Sequence, residues 1–327
     1  MTTAWTPFHA QLHRTLRQRQ LLPNGCTVLM AVSGGQDSLA LAALLRDLQP
    51  KWDWHLAIAH CNHRWRSDSA ENAAHVLRLM AEWGLTAYGE VTLDPPATEA
   101  DARHWRYAVL TQLAQSHGYS HVVTGHTASD RAETLLYNLA RGSGMEGLQA
   151  LGWERELGNG IRLVRPLLEF RRSDTARICR VLNLPIWEDS TNRDVRYARN
   201  RIRHEVLPML QMYLNPQVEM HLAQTADILA SEVEYLNQQA IALYQTAVDL
   251  QTGLPRLHRI VLRDASLALQ RRVLRHWLRQ FDIHPTFEHT EKCVELITAP
   301  NRSQTDPFPG GAIAQVSGDW IRLEQRL

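Results

Sequence analysis

Lysine is almost missing from this chain of 327 residues. It occurs only at Lys51 and Lys292, so 33 of the 35 cationic side chains are arginine. Neither lysine lies in a glycine-rich loop, which excludes a nucleotide site of the Gly-Lys-Ser/Thr type. A Schiff-base or nucleotidyl-lysine mechanism would have to use one of these two, and neither has a site-like context. Cysteine is scarce as well. Cys26, Cys61, Cys179 and Cys293 are dispersed with no C-x-x-C pair, which argues against a zinc ribbon, a thioredoxin-like centre and a disulfide scaffold. No apolar run reaches the ~18 residues of a membrane span, and Met1–Leu16 holds no run of signal-peptide length. A soluble, cytoplasmic protein without a membrane partner is expected.

What is present is an ordinary globular composition, 44% apolar and 21% charged, enough for a sizeable core in about two domains. The net charge of +1 hides an uneven distribution. Arg162–Arg203 carries eleven arginines against five acids, and Arg256–Arg279 carries seven against Asp264 alone. The remainder is therefore acidic on balance. Two basic blocks in such a chain suit a polyanion-binding face, although solvated sides of amphipathic helices give the same count. Codon composition would account for the preference for arginine; guanidinium forks also suit phosphate.

Apolar runs alternate with helical patterns in the first half. Thr27–Val32, Trp54–Ala59, Ala87–Leu93 and His121–Thr124 read as strands. Ser38–Leu48, Ala70–Trp83, Glu99–Gln115 and Asp130–Ala140 read as the helices between and after them. This pattern predicts an α/β fold with a doubly wound parallel sheet. The alternation stops near Asn215. His221–Gln245, Ala265–Phe281 and Phe287–Ala299 then read as helices, and Gly311–Val316 with Trp320–Leu323 as a hairpin. The expected division is a catalytic domain, 1–215, and a smaller, mainly helical domain, 216–327. Ligands of doubly wound sheets bind at the carboxyl ends of the strands, so those ends carry the functional reading.

Ser33-Gly34-Gly35-Gln36-Asp37-Ser38 joins the first strand to its helix. Two glycines let the backbone approach a phosphate, two serines add hydroxyl donors, and the helix N–H groups converge on the same spot. Asp37 inside an anion site requires a cation such as Mg²⁺. This loop resembles that of the pyrophosphatase-loop ATP-binding family, whose members cleave ATP between the α and β phosphates. A loop that grips departing pyrophosphate without a lysine suits AMP transfer.

The second strand runs into His60-Cys61-Asn62-His63-Arg64-Trp65-Arg66. Two histidines three apart lack a third ligand at fitting spacing, so the segment reads as a loop meeting adenine through its backbone, with Arg66 aligning substrate. Thr98 is a fitting N-cap for the next helix, on which Arg103 and Arg106 share a face. The fourth strand leads to His126, with Asp130 and Glu133 three apart at a helix start. These acids suit Mg²⁺ or a cationic amine, or simply complement the helix dipole. Glu188-Asp189 and Asn192 precede Arg199 and Arg203, four apart on one helical face.

Together these segments resemble the tRNA(Ile)-lysidine synthase family. Ser33–Ser38, His60–Arg66, Glu99/Arg103/Arg106-Tyr107, His126/Asp130/Glu133, Arg141–Gly144, Arg165–Leu168 and Glu188-Asp189 with Asn192 and Arg199-Asn200 carry the resemblance over most of residues 28–208. It implies adenylation of C2 of the wobble cytidine 34 of tRNA(Ile) with a CAU anticodon, using ATP. Attack by free L-lysine then gives lysidine and changes codon reading from AUG to AUA. On this reading Ser33, Gly34, Gly35, Gln36, Asp37, Ser38 and His60 bind ATP. Asp37 and Asp130 hold Mg²⁺. Asp37, His126, Asp130, Glu133, Arg106 and Arg199 make the reaction centre, and the basic blocks grip tRNA. A homodimer is compatible with the resemblance. Two departures stand out. Many members have His-His and Asp-Asp where this chain has His126-Thr127 and Ser129-Asp130. The C-terminal region has room for one accessory domain where longer relatives carry two. A tRNA thiolase on the same ATP domain would need a cysteine pair or an iron–sulfur cluster, and only Cys61 keeps that rival alive; a nucleotide sensor would not need the acids.

Overall fold

The computed structural model describes residues 5–65, 67–187, 194, 196–250 and 253–325. They form two compact units divided between Ala230 and Ser231. Arg66 and the segment Glu188–Asn192 lie outside the described residues.

In the first unit α1 (Pro7–Arg19) precedes β1 (Thr27–Ala31), α2 (Gln36–Trp52), β2 (His55–Asn62), α3 (Ser69–Glu82) and β3 (Thr86–Val91). Next come α4 (Glu99–His117), β4 (His121–Thr124), α5 (Ala128–Ala140), α6 (Met145–Leu148), β5 (Glu154–Gly158), β6 (Ile161–Val164) and α7 (Arg172–Val181). The six strands are ordered β3-β2-β1-β4-β6-β5, parallel except for β5. Winding therefore reverses between β1 and β4, which opens a crevice at their carboxyl ends.

Alternate side chains of each inner strand enter two cores, as a period of two requires. Val28, Met30, Ile58 and Val123 pack with α1, α2, α3 and α7 on one face. Leu29, Ala57, Ala59 and Val122 pack with Tyr107, Leu110 and Leu113 of α4 on the other. The expected parallel sheet is thus present. The antiparallel edge hairpin β5–β6 lies outside that expectation, although its turn is Asn159-Gly160 with both residues at positive φ, the signature of a tight hairpin. Thr98 caps α4 as expected: its hydroxyl accepts the Asp101 N–H at 3.1 Å, and the Asp101 carboxylate accepts the Thr98 N–H at 3.2 Å.

After β6 and α7 come α8 (Ala198–Arg201), a π-helical turn (Ile202–Val206), α9 (Leu207–Tyr213) and α10 (Val218–Ala247). The long helix α10 begins just past the boundary expected at 215 and runs across the division between the units. The second unit contains β7 (Val248–Asp249), β8 (Arg256–His258), α11 (Arg259–Arg263), α12 (Leu267–Arg279), α13 (Phe287–Leu296), β9 (Ala312–Ser317) and β10 (Trp320–Gln325). Besides the expected helices it holds a four-stranded antiparallel sheet, β7-β8-β10-β9, around Trp277, Leu274, Val316 and Ile321. Among the described residues no helix is long and apolar enough to cross a membrane.

Within the first unit α10 is fastened by Asp227. Its carboxylate accepts from Trp153 Nε1 at 2.7 Å, Arg19 at 2.7 Å and buried Arg131 at 3.2 Å. Arg19 and Arg131 also lie over the Trp153 ring, 4.6 and 5.1 Å from its centroid. Burial opposes ionisation of Asp227, but these three donors outweigh it and hold the carboxyl below its ordinary value. A depressed native pKa gives stability that is complete above the unfolded value of about 3.9 and fades as pH falls through the native value. Asp227→Asn should therefore cost about 3 kcal/mol at pH 7, because Arg131 loses its counter-charge. The variant should lose less on going from pH 7 to pH 3 than the parent does. Denaturant titrations at the two pH values check this; equal pH sensitivity in both proteins would contradict it.

Candidate active site at the carboxyl edge of the sheet

The loop after β1 is held from within and from behind. Ser38 Oγ accepts the Ser33 N–H at 3.2 Å and donates to the Gly35 carbonyl at 2.9 Å; Ser33 Oγ accepts the Gly35 N–H at 3.3 Å. Asn72 Nδ2 and the Trp187 N–H donate to the carbonyls of Ser33 and Gly34 at 3.1 and 3.0 Å. Gly34 has φ +87°, and a Cβ there would lie 2.5 Å from Asn72 Oδ1, so glycine is required on two counts. With the carbonyls turned to these donors, the first-turn N–H groups of α2 and its positive dipole end serve the crevice. Gln36 departs from its expected side-chain role. Its amide donates to the Arg172 carbonyl and Thr175 Oγ1, both at 2.7 Å, so it ties α2 to α7 and leaves its backbone for a ligand.

Three carboxylates gather beside this loop. Asp37 accepts from Thr175 Oγ1 and pairs with Arg172 at 3.2 Å. Burial, and to a smaller degree Asp130, push its pKa up against the pull of Arg172 and Thr175. At the start of α5, Asp130 Oδ2 accepts the N–H and hydroxyl of Thr127, each at 2.8 Å, while Oδ1 meets Arg203 at 3.4 Å. Burial opposes its ionisation too, but His126, Arg172, the Thr127 N–H and Arg203 together hold its pKa below the ordinary range. Glu133 is buried and its two oxygens take the fork of Arg203 at 2.7 and 2.8 Å. Its pKa is raised by burial and by Asp130 despite that fork.

His126 closes the group from the end of β4. Its Nδ1 lies 2.8 Å from Thr124 Oγ1. Burial drives its pKa down to about 3, opposed by Asp130 and assisted by Arg165, Arg106 and Arg103. At neutral pH it is an uncharged imidazole that can donate or accept one hydrogen bond. His60 is buried under the end of β2, with Nδ1 2.8 Å from the Val32 carbonyl. Arg106 lies on α4 against Tyr107, 5.7 Å from the ring centroid. Arg199 reaches Glu99 of the same helix at 3.3 Å.

Arg172 and Thr175 face Asp37 but stand out in no sequence pattern, because α7 reaches the crevice through the fold. Gly125 carries no sequence signal either. A Cβ on it would lie 2.8 Å from the Asp37 carbonyl oxygen and 3.0 Å from the Ser38 nitrogen; it lets β4 cross the start of α2. Ser129, where the resemblance leads one to expect an acid, donates to Glu219 of α10 and accepts the Arg172 N–H at 2.9 Å. Among the described residues no three acid, histidine or cysteine side chains group as a complete metal site.

A phosphate loop at a topological switch point, with acids on the adjoining helix, defines an ATP-using enzyme of the PP-loop class. A family model described as a PP-loop domain matches residues 6–210, and one described as the TilS substrate binding domain matches 257–324. Two curated proteins named tRNA(Ile)-lysidine synthase are similar over nearly their whole lengths. The one from Nostoc sp. is 56% identical, covering 98% of this chain and 97% of that protein; the one from Synechococcus sp. is 50% identical with the same coverage. The chain belongs to the tRNA(Ile)-lysidine synthase family, a family of ATP-dependent ligases. Among solved structures, the U34-tRNA thiolase NcsA from Methanococcus maripaludis with its [4Fe-4S] cluster shares the fold, with TM-score 0.57 and 16% identity over 68% of this chain and 76% of that one. All four cysteines here are free thiols whose pKa burial raises to about 11 or 12, unlike reactive sulfur carriers.

The crossing at Gly125 gives a direct test. Gly125→Ala should push the start of α2 aside, cost about 1–3 kcal/mol of stability and weaken ATP binding. Calorimetric titration with ATP and a thermal melt measure the two; an unchanged ATP affinity would show that the loop does not depend on this approach.

Proposed function

We propose that this chain joins free L-lysine to C2 of cytidine 34 in tRNA(Ile) bearing a CAU anticodon, so that AUA is read in place of AUG. The meeting of a lysine-free phosphate loop with Asp37, Asp130 and Glu133 at one sheet edge supports this reading most. The cytidine C2 oxygen attacks the α-phosphorus of ATP and pyrophosphate leaves; the lysine ε-amine then attacks C2 and AMP leaves. Ser33, Gly34, Gly35, Gln36 and Ser38 hold the phosphates through backbone N–H groups and hydroxyls, and the end of β2 at His60 lies toward adenine. His126 serves as a neutral hydrogen-bonding group at the reacting base, and Arg106 and Arg199 receive the cytidine or its phosphate.

Asp37 and Asp130 fit Mg²⁺, which usually takes one or two carboxylates and completes its shell with phosphates and water. Burial and Asp130 both disfavour the ionised form of Asp37, and a cation between the two carboxylates would relieve that repulsion. Bound there, the ion would offset charge on the departing pyrophosphate. Asp130 or Glu133 orients the lysine ammonium, and one of these carboxylates takes the proton that must leave before the amine is nucleophilic. The second unit binds tRNA, a homodimer is the assembly to be checked by sedimentation, and the cytoplasm is the compartment where substrates and enzyme meet.

Incubation with ATP, Mg²⁺, labelled lysine and the CAU-anticodon tRNA(Ile) should put label into RNA. ATP consumption without label in RNA would overturn the reading. Asp130→Asn should abolish labelling with tRNA affinity nearly intact, whereas a large loss of tRNA binding would make Asp130 structural.

The arginines of the second basic block divide into two kinds. Arg256 pairs with Asp249 and Arg271 with Glu291, each at 2.7 Å, and Arg272 donates to Asn237 at 2.6 Å. Arg263 is exposed at the end of α11. If this unit grips tRNA, Arg263→Glu should weaken binding and flatten its salt slope by about one or more. Arg271→Gln, whose guanidinium is committed to Glu291, should leave the slope as it is. Salt titrations of tRNA binding separate them, and equal slopes in both variants would show that Arg263 faces away from RNA.

A further inference from the structure

On the α4 side of the sheet edge, arginines collect around one tyrosine. Arg155 of β5, Arg103 and Arg106 lie over the Tyr107 ring, 4.6, 5.1 and 5.7 Å from its centroid. Arg165, at the end of β6, is buried and donates one nitrogen to the Gly152 carbonyl at 2.6 Å, while its Nε has no partner. The Tyr107 hydroxyl is buried beside Arg165, and its proton has no acceptor.

The carboxylates on the same elements are all turned elsewhere. Glu99 goes to Arg199, Asp101 to the N-cap Thr98, Glu154 to Arg162 and Glu156 to the Gly160 N–H. Among the described residues, none pairs with Arg103, Arg106 or Arg155. Gathered like charges without a counter-ion, around a buried hydroxyl without an acceptor, form a built site for an anion. Burial and neighbouring arginines lower the pKa of Arg103, and the same arginines lower that of Tyr107 against burial. Added negative charge would relieve the repulsion.

We propose that Arg103, Arg106, Arg155, Arg165 and Tyr107 form a cage for one backbone phosphate of the RNA, beside the nucleotide being modified. Planar forks recognise phosphodiester oxygens well. The phosphate loop belongs to α2, which packs on the opposite face of the sheet from α4. ATP phosphates in the loop and an RNA phosphate in the cage would therefore flank His126 from two sides. The cage rests on the RNA reading above, which already uses Arg106, and adds Arg103, Arg155, Arg165 and Tyr107 to it.

Arg155 is exposed on an edge strand, so Arg155→Ala is expected to fold. Binding of a labelled anticodon stem-loop RNA to the full chain should weaken roughly tenfold in this variant, with the salt slope reduced by about one. ATP affinity, measured by calorimetry, should not change. Replacing single anticodon-loop phosphates by methylphosphonates should give the same loss at one position in the parent and no added loss there in Arg155→Ala. Arg103→Gln should repeat the pattern. Unchanged RNA affinity and slope in both variants would overturn the cage, and a loss confined to ATP binding would overturn it by assigning the anion to the nucleotide. These affinities do not depend on lysine transfer, so failure of the labelling assay would remove the catalytic reading and leave the cage standing.

Discussion

The pairing of Asp37, Asp130 and Glu133 with Arg172 and Arg203 is the constraint on which this molecule's arrangement turns. A buried carboxylate without a partner costs several kcal/mol, and three at one sheet edge add mutual repulsion. Two guanidinium groups offset this, and each arrives from a segment distant in sequence. Arg172 begins α7, which Gln36 and Thr175 lock to α2. Arg203 lies in the π-helical turn Ile202–Val206, a widened turn of the kind often found at functional sites. The same fork holds both oxygens of Glu133 and leans on Asp130. The helices around the crevice are thus positioned by the charges inside it.

Short-range chemistry is legible in the amino-acid sequence of this chain. The Ser33–Ser38 loop, the strand ends at His60 and His126, the Thr98 cap and the β9–β10 hairpin each declare themselves within a few residues, because caps, glycine turns and buried strands are local events. Partner choice is not legible there. Arg203 and Glu133 are 70 residues apart, and nothing near either names the other. The block Arg256–Arg279 reads as a run of available charge, yet Arg256, Arg271 and Arg272 are engaged within the second unit. The β5–β6 hairpin hides behind a short strand of mixed polarity, although Asn159-Gly160 is a usable sign. Ser129 looks like a missing acid. In three dimensions a carboxylate does stand there, supplied by Glu219 from α10.

The scarcity of lysine takes on a physical sense from these contacts. An ammonium could not replace the fork that spans both oxygens of Glu133, and further guanidinium groups lie over the Trp153 and Tyr107 rings. Arginine at these places therefore performs packing and pairing that a codon preference alone would not position. The arginines also separate by face. Arg172 of α7 and Arg203 of the π-helical turn neutralise carboxylates around the phosphate loop, whereas among the described residues those around Tyr107 pair with no carboxylate. Among the described residues, carboxylates pair with the arginines on one side of His126, whereas the arginines around Tyr107 on the other pair with none, which gives the crevice a direction. On the proposed reading the first side would take a cation-requiring, phosphate-rich nucleotide and the second a singly charged backbone phosphate. The reacting base would then lie between them on that reading, where the uncharged imidazole of His126 could approach it without adding charge.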